Sequence, residues 1–260
     1  MIDRHVVMFS GGAGSWAAAR RVAERHGPPT LLFADTMMED EDLYRFLDEA
    51  AADVGGDLVR IADGRTPWDV FRDVRFLGNT RVDPCSRILK REVCDAWLDA
   101  NCDPASTVVY LGIGWDEAHR FEAARGRFAA KGWRCEAPMC EAPYLTSAQV
   151  LDAMRDRVIE PPRLYAMGFP HNNCGGFCVK AGQAHFERLL RELPDRYAYH
   201  EAQEGALREH IGKDVAILRD RVGGSVSPLT LRAFRERIER QPTLFDRFEW
   251  GGCGCFSGQP

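Results

Sequence analysis

The sequence predicts an α/β fold: a doubly wound, mostly parallel sheet followed by a helical C-terminal part that carries cysteines. Three observations lead to this prediction. In the first half of the chain, continuous apolar runs of strand length alternate with helical patterns, as in parallel sheets that helices cover on both faces. In the second half, strand patterns are weak and the helical segments are shorter and richer in charge. Several of the nine cysteines lie in this second half at close spacing.

Apolar runs predict four strands of the sheet. They lie at residues 5–9, 30–34, 58–62 and 107–113. Each run has the length of a strand and is followed by turn residues or by a helical pattern. Ligands of such sheets bind at the carboxyl ends of the strands, so we expect functional residues directly after these runs.

Helical periodicity predicts the segments between and after the strands. The predicted helices cover residues 16–26, 43–50, 83–101 and 229–240. The first of them ends at a Gly-Pro-Pro sequence, which cannot continue a helix. We predict an α/β domain over residues 1–145 and a helical, cysteine-bearing region over 146–260. The two parts either share one core or fold separately.

Composition narrows the class of protein. Hydrophobic residues make up 45% and charged residues 28% of the chain, which suits a globular domain and excludes a disordered or fibrous one. No run approaches the ~20 apolar residues that cross a bilayer, and the first predicted strand follows the N-terminus without a signal-peptide pattern. We therefore expect a cytoplasmic protein without a membrane partner. The net charge of −5 excludes a globally basic nucleic-acid-binding surface, although it allows a local basic patch.

The turn after the first predicted strand has the features of a phosphate-binding loop. It contains Ser10, Gly11, Gly12, Gly14 and Ser15. Glycines let the backbone approach phosphates, and the amides at the start of the next helix supply donors and a positive dipole end. The spacing matches neither the Walker A motif nor Gly-x-Gly-x-x-Gly. The alternative is a tight strand-to-helix turn whose glycines serve packing alone.

Five cysteines occupy positions that suggest a metal centre. Cys174 and Cys178 have two glycines between them, Cys253 and Cys255 form a second close pair, and Cys85 lies far upstream. In a reducing compartment such groups indicate metal binding or catalysis rather than disulfides. The two close pairs could hold a tetrahedral zinc ion. Alternatively, Cys85, the first pair and one member of the second could hold a [4Fe–4S] cluster.

The other cysteines lack a partner at close spacing; they are Cys94, Cys102, Cys135 and Cys140. Cys94 lies on the apolar side of its predicted helix, which favours a position in the core. Cys140 is the alternative candidate for a metal ligand.

The turn after the first strand resembles a known phosphate-binding loop. Its sequence FSGGAGS, at residues 9–15, is similar to the pyrophosphate loop of the PP-loop ATP pyrophosphatases, usually written SGGxDS. More narrowly, it resembles the branch that contains the phosphoadenosine-phosphosulfate (PAPS) reductases. It departs from the family at Gly14, where an aspartate is common.

Three further segments resemble this family in the expected order. Asp35 and Thr36 follow the second strand, where the family's second strand meets the nucleotide. Residues 85–90 (CSRILK) resemble the family's Cys-x-x-(Arg/Leu)-Lys element. Residues 112–120 (GIGWDEAHR) resemble its Gly-Ile-Arg-x-Asp-Glu-Ser-x-x-Arg segment, with Gly114 in place of the first arginine. The matches together span slightly under half of the chain.

The resemblance implies that the α/β domain binds an adenine nucleotide, namely ATP with Mg²⁺. Arg87, Lys90 and Arg120 would neutralise the phosphates by charge-assisted hydrogen bonds, although an exposed helix face suits the first two equally well. Glu117 would orient ribose or Mg²⁺, or else stabilise a helix N-terminus. The implied nucleotide contacts are Ser10, Gly11, Gly12, Gly14, Ser15, Asp35, Thr36 and Gly112.

The resemblance also favours the iron–sulfur arrangement of the cysteines. Cluster-bearing sulfonucleotide reductases have a cysteine pair at the position of Cys85 and a further close pair downstream. This chain has Pro84 before Cys85, and its downstream pair is separated by three residues rather than two. We expect a [4Fe–4S] cluster whose fourth ligand is Cys253 or Cys255, with zinc or no metal as the alternatives.

Three functions remain open from the sequence. In the first, a PAPS reductase-like ATP pyrophosphatase adenylates a substrate and releases pyrophosphate, and the substrate then receives sulfur that the cluster carries or relays. Proteins that this chain resembles act in thiolation of tRNA or in phosphorothioate modification of DNA. This function implies a nucleic-acid substrate and a sulfur-donor protein such as a cysteine desulfurase.

The other two functions use the same residues differently. In the second, the chain is a sulfonucleotide reductase in which the thiolate of Cys253 or Cys255 attacks the sulfur of adenylyl sulfate. Its CGCF tail suits a mobile nucleophile but differs from the Glu-Cys-Gly-(Ile/Leu)-His ending of those enzymes. In the third, the chain is a non-catalytic nucleotide-binding subunit with structural zinc, which Gly14 and Gly114 favour.

Overall fold

The computed structural model describes residues 2–79, 82–222 and 224–240, and it confirms the predicted α/β class. At its centre is a five-stranded parallel sheet in the order β3-β2-β1-β4-β5. Its strands are β1 (Arg4–Met8), β2 (Thr30–Asp35), β3 (Asp57–Ala62), β4 (Thr107–Leu111) and β5 (Arg134–Glu136). The first four are the predicted strands. The sequence did not predict β5, because it has one fully buried residue, Cys135.

Helices cover the sheet and form the C-terminal part. They are α1 (Ala13–His26), α2 (Glu41–Val54), α3 (Pro67–Asp73), α4 (Pro84–Ser86), α5 (Val93–Asn101), α6 (Ala118–Ala129), α7 (Ser147–Asp156), α8 (Arg163–Ala166), α9 (Gln183–Glu192), α10 (Pro194–Ile211) and α11 (Leu231–Arg240). An antiparallel hairpin of β6 (Leu218–Val222) and β7 (Ser225–Leu229) precedes α11. None of the helices in the described part of the chain combines the length and apolar character that a membrane crossing requires.

β1 is the middle strand, and the sheet is wound in both directions from it. The chain passes from β1 to β2 and β3 on one side and then crosses to β4 and β5 on the other. Val6 pairs with Thr30 of β2 and with Val109 of β4, both in parallel. The exits of β1 and β4 therefore form a topological switch point, where open α/β sheets bind their ligands.

The two faces of the sheet bury alternate residues of each strand, as the strand period of two requires. On one face, Val7 and Leu31 pack in a cluster with residues of α1, α2 and α7. On the other face, Val6 and Leu32 pack with residues of α5 and α6. Because helices cover both faces, the strands are apolar without interruption, which explains the runs in the sequence.

A third hydrophobic cluster forms the core of the C-terminal part. It contains residues of α9, α10 and α11, together with Trp68 and Phe71 of α3. Conversely, Val150 and Met154 of α7 pack in the first cluster, against the sheet. Segments from both sides of residue 145 thus contribute to the first and third clusters, and a domain division at that residue stays a prediction.

The predicted helix over residues 83–101 is present but is not uniform. It begins as α4, continues as a π-helical segment (Arg87–Glu92) and ends as α5. Single π-helical turns are rare and often occur at functional sites. This segment buries the neighbouring residues Leu89 and Lys90, so it directs a lysine toward the interior.

Candidate functional site

The exit of β1 is a closed turn of glycines and serines, here called the glycine loop (residues 10–15). Gly11 has a φ of +72°, and a Cβ atom there would lie 2.3 Å from Leu43 Cδ1. The amide of Gly12 donates to Ser15 Oγ at 3.2 Å, and that hydroxyl donates to the carbonyl of Gly12 at 2.8 Å. Ser15 is buried, so its hydroxyl closes the turn from inside.

The glycine loop touches the exit of β4 backbone to backbone. A Cβ atom at Gly14 would lie 2.9 Å from the carbonyl oxygen of Gly112, and a Cβ atom at Gly112 would lie 2.6 Å from Ser15 Cα. Both positions require glycine because the contact is with backbone atoms, which cannot swing away. An aspartate at position 14 would therefore collide with the backbone at the exit of β4.

The hydroxyl of Tyr165 lies over the glycine loop. The amide of Ala13, the first residue of α1, donates to Tyr165 Oη at 3.2 Å. A Cβ atom at Gly12 would come 3.1 Å from the same oxygen. Amides at a helix N-terminus attract oxygen acceptors and anions, and Tyr165 supplies such an acceptor here. Sequence reasoning missed this residue because it lies on α8, far along the chain and in no motif.

The segment after β2 is held by its own side chains. Asp35 accepts hydrogen bonds from the amide of Met37 at 2.8 Å and from the hydroxyl of Tyr44 at 2.9 Å. Burial and the hydrogen bond to Asp35 raise the pKa of Tyr44. Thr36 is buried and donates to Glu39 Oε1 at 2.9 Å. The predicted nucleotide contacts Asp35 and Thr36 therefore also shape this turn.

Asp40 fixes the start of α2 and joins it to the C-terminal half. Its fully buried carboxylate accepts a hydrogen bond from the amide of Asp42 at 3.0 Å, as an N-cap does. Arg163 of α8 donates to both oxygens, at 2.8 and 3.0 Å, and Arg196 of α10 donates at 2.8 Å. Burial by itself would raise the pKa of Asp40, but the hydrogen bonds from the two arginines outweigh it and hold that pKa below its usual value.

The structure separates the two predicted basic residues of the π-helical segment. Arg87 is more than half exposed and forms an ion pair with Glu92 at 2.6 Å. Lys90 is buried, and its Nζ lies 3.6 Å from Glu39 Oε1. Arg87 therefore lies on the solvated helix face, whereas Lys90 points into the molecule.

The exit of β4 carries the other predicted charged residues. Arg120 forms an ion pair with Glu117, three residues before it, and the arginine is the more buried partner. The thiol of Cys140 lies near the carbonyl oxygens of Ile113 and Gly114, at 3.4 and 3.5 Å. Burial, with neighbouring carboxylates, raises the pKa of Cys140. The Cys140 thiol, next to the exit of β4, therefore ionises less readily than an ordinary cysteine thiol.

Three of the predicted metal ligands meet in one place, here called the thiol cavity. Cys85, Cys174 and Cys178 line this cavity. The rest of its wall consists of Thr36, Pro67, Asp83, Ser86, Lys90, Phe177, Val179 and Lys180. The cavity therefore combines thiols, two lysines and apolar side chains at the carboxyl edge of the sheet.

The backbone of the Cys174 loop is unusual. Cys174, Gly175 and Gly176 have consecutive φ values of +50°, +60° and +84°. The left-handed conformation is uncommon for a residue other than glycine and often marks a functional site. Glu39 holds Cys174 in this conformation, because the Cys174 amide donates to Glu39 Oε2 at 2.6 Å. The carbonyl of Gly175 accepts a hydrogen bond from Arg196, which also binds Asp40.

His171 lies beside the Cys174 loop and is held as a neutral ring. Burial, followed by the nearby His185 and Lys90, lowers the pKa of His171 to about 3. Its ring stacks on that of His185 at 4.9 Å, and its Nδ1 accepts a hydrogen bond from the amide of Asn173 at 3.4 Å. These contacts are those of a packing and capping histidine.

The remaining cysteines lie elsewhere or outside the described residues. Cys94 and Cys135 are buried in the cluster on one face of the sheet, and burial raises the pKa of each to about 12. Cys253 and Cys255 lie outside the described residues. Within the residues that the structure does describe, no three His, Cys, Asp or Glu side chains stand close enough to hold a single metal ion.

Comparison with known proteins gives a likeness in structure but no match in sequence. No protein-family model matches this chain, and no curated protein matches it. The fold is similar to a solved structure of phosphoadenylyl-sulfate (PAPS) reductase from Candida auris in a phosphate complex. That likeness covers 63% of this chain and 78% of the reductase, with 12% sequence identity and a TM-score of 0.43.

Proposed function

We propose that this protein is a PAPS reductase-like ATP pyrophosphatase that adenylates a substrate for sulfur transfer and holds a [4Fe–4S] cluster in the thiol cavity. One observation carries the proposal. The glycine loop at the switch point and the thiol cavity share the carboxyl edge of the sheet, and the β2 exit joins them. Thr36 follows β2 as part of the predicted nucleotide site and also lines the thiol cavity.

The thiol cavity brings together three of the thiols that the proposed cluster needs. Cys85, Cys174 and Cys178 all line it. Lys90 and Lys180 would offset the negative charge of the thiolates, and Phe177 and Val179 would restrict water, both of which tune a cluster. When bound, the cluster would carry or relay sulfur.

In the proposed reaction, catalysis depends mainly on positioning the reactants and neutralising the phosphate charge. An oxygen of the substrate attacks the α-phosphorus of ATP, the bond to the β-phosphate oxygen breaks, and pyrophosphate leaves with that electron pair. The glycine loop would hold the phosphates against the start of α1. Arg120, with Glu117 as its partner, would face the phosphates and Mg²⁺ from the exit of β4. Gly112 would keep that exit close enough to serve the same nucleotide.

The proposed acceptor is a nucleic acid, tRNA or DNA, and the proposed sulfur source is a partner protein such as a cysteine desulfurase. Net charge of −5 favours delivery of the acceptor by a partner over strong autonomous binding. The fourth cluster ligand predicted from sequence, Cys253 or Cys255, lies outside the described residues.

The test begins with anaerobic purification of the full chain and metal analysis. We expect a brown protein with iron that releases pyrophosphate from ATP when the correct tRNA or DNA is added. Release of AMP and sulfite from adenylyl sulfate with a thiol reductant would instead identify a sulfonucleotide reductase. Colourless protein with stoichiometric zinc, or ATP binding without turnover on any nucleic acid, would favour the non-catalytic subunit.

A matched pair of cysteine variants tests the assignment of the cavity. Cys178→Ala should abolish the colour and most of the iron, because it removes a thiol from the cavity wall. Cys94→Ala should leave the iron content unchanged, because that thiol is buried in the core beside the sheet. Equal iron loss in both variants would show that the effect is one of folding rather than of ligation.

A further inference from the structure

Glu39 contacts three segments of the molecule at once. Its side chain is 2% exposed. Oε1 accepts a hydrogen bond from the hydroxyl of Thr36 at 2.9 Å and lies 3.6 Å from Lys90 Nζ. Oε2 accepts a hydrogen bond from the amide of Cys174 at 2.6 Å. One buried carboxylate therefore links the exit of β2, the π-helical segment and the Cys174 loop.

These contacts place Glu39 between the two proposed sites. Its three partners all line the thiol cavity. Thr36 is also one of the residues predicted to contact the nucleotide. The carboxylate of Glu39 is therefore bonded to a side chain that belongs to both sites. The sequence motifs do not include Glu39, so sequence analysis assigned no function to it.

The neighbouring contacts fix the position of Glu39. The next residue, Asp40, is the N-cap of α2, and two arginines hold its carboxylate. One of them, Arg196, also donates to the carbonyl of Gly175. The two consecutive acids thus hold two consecutive residues of the Cys174 loop. A change in the hydrogen bonds of Glu39 therefore acts on that loop, because its own backbone is anchored at the next residue.

The hydroxyl of Thr36 is the part of this network that a nucleotide would change. A threonine hydroxyl has a single proton, so it donates either to Glu39 or to an oxygen of the nucleotide. In the second case Oε1 loses a donor, while Lys90 and the Cys174 amide remain as partners of the carboxylate. Donors to one carboxylate compete for its charge, so the hydrogen bond from the Cys174 amide becomes stronger.

We propose that Glu39 is a positioning residue that couples nucleotide binding at the exit of β2 to the order of the Cys174 loop. This inference rests on the proposed nucleotide site. A ligand shifts such an equilibrium only through contacts that differ between the two states, and the hydroxyl of Thr36 supplies that difference. The Cys174 loop is then most ordered when the nucleotide is bound, which is the state that the proposed sulfur transfer requires.

Hydrogen–deuterium exchange, read by mass spectrometry with fragmentation to single residues, measures the Cys174 amide directly. The full-length protein is compared with and without ATP and Mg²⁺, in the absence of nucleic acid. In wild type, ATP should slow exchange at Cys174 by about threefold. Glu39→Gln keeps the shape but loses the charge and one acceptor oxygen. Its exchange should be about tenfold faster than in wild type and independent of ATP.

Thr36→Val tests the same link from the nucleotide side, and it serves equally if Glu39→Gln fails to fold. The valine removes only the hydroxyl, so ATP should still bind at the glycine loop. Without ATP, Cys174 in this variant should exchange as slowly as in ATP-bound wild type, and ATP should have no further effect. Glu41→Gln, at an exposed position of α2, is the control and should behave like wild type. Thermal unfolding checks that each variant folds.

Two results would overturn the coupling. One is an ATP effect that persists in Glu39→Gln and Thr36→Val, because the nucleotide would then merely cover the loop. The other is faster exchange at Cys174 in Thr36→Val than in wild type, because the hydroxyl would then only support the local structure.

Calorimetry with ATP separates this inference from the proposed function. If wild type binds no ATP, the proposed nucleotide site fails and the coupling falls with it. If wild type binds ATP but exchange at Cys174 does not change, only the coupling fails.

Discussion

The glycine loop and the thiol cavity are built in opposite ways. The glycine loop is made of consecutive residues whose shape depends on backbone contacts, such as that between Gly14 and Gly112. The thiol cavity gathers side chains from four separate segments, and ion pairs of Lys90 with Glu39 and of Lys180 with Asp83 link some of them. The first region therefore depends mainly on backbone contacts, whereas the second depends on side chains that distant segments supply.

Asp40 is where we expect the largest effect. Asp40→Asn removes the negative charge that pairs with Arg163 and Arg196, so both arginines lose that carboxylate partner. Removing one partner of a fully buried ion pair costs about 3–5 kcal/mol. Because the side chains of Arg163 and Arg196 are 42% and 25% exposed, the free energy of urea-induced unfolding should fall by about 3 kcal/mol, the lower end of that range. Alkylation of the cavity thiols should become faster, because Arg196 also holds the carbonyl of Gly175.

Asp48→Asn is the matched control, because Asp48 lies on the same helix but is exposed. It should change the free energy of unfolding by less than about 1 kcal/mol. A similar loss of stability in both variants would contradict the special role given to Asp40.

The Asp40 carboxylate should make the protein less stable at low pH. The pKa of Asp40 is lower in the folded protein than its usual value. The ionised carboxylate therefore stabilises the fold above about pH 4, and this stabilisation is lost as the pH falls through the folded pKa. The difference in unfolding free energy between wild type and Asp40→Asn should be constant from pH 5 to 7 and shrink at lower pH. Urea unfolding across this range measures it, and a difference that stays constant down to pH 3 would rule the linkage out.

The glycine loop should respond to a single methyl group. Gly112→Ala would place Cβ 2.6 Å from Ser15 Cα, so the two strand exits must separate. We expect a loss of about 1–3 kcal/mol in stability and at least tenfold weaker ATP binding, measured by calorimetry. The iron content should be unchanged, because the cavity lies on other segments. Gly126→Ala, where a Cβ atom meets nothing within 4 Å, should bind ATP like wild type.

The smallest effect is expected at Tyr165. Tyr165→Phe removes the acceptor of the Ala13 amide and should lower the free energy of unfolding by about 1 kcal/mol. If a phosphate oxygen replaces the hydroxyl on that amide, ATP should bind the variant up to about fivefold more tightly. Tyr199→Phe, at an exposed tyrosine, is the control. Weaker ATP binding would instead mean that the hydroxyl contacts the nucleotide.

Local patterns in the sequence were enough to predict the fold class. Continuous apolar runs gave four of the strands, and helical periodicity gave the helix that contains Lys90. β5 was missed because three residues with one fully buried side chain carry no periodic signal. The π-helical segment was missed as well, since tertiary packing rather than local sequence decides between i→i+4 and i→i+5 hydrogen bonds.

The sequence by itself determined the glycine loop and the close spacing of Cys174 and Cys178, because both lie within a few consecutive residues. Only the tertiary structure decided that Cys85 joins them, that Lys90 turns inward while Arg87 faces solvent, and that Asp83 lines the same cavity. These facts depend on how distant segments pack, and packing follows from the summed burial and charge pairing of the whole chain rather than from any local motif.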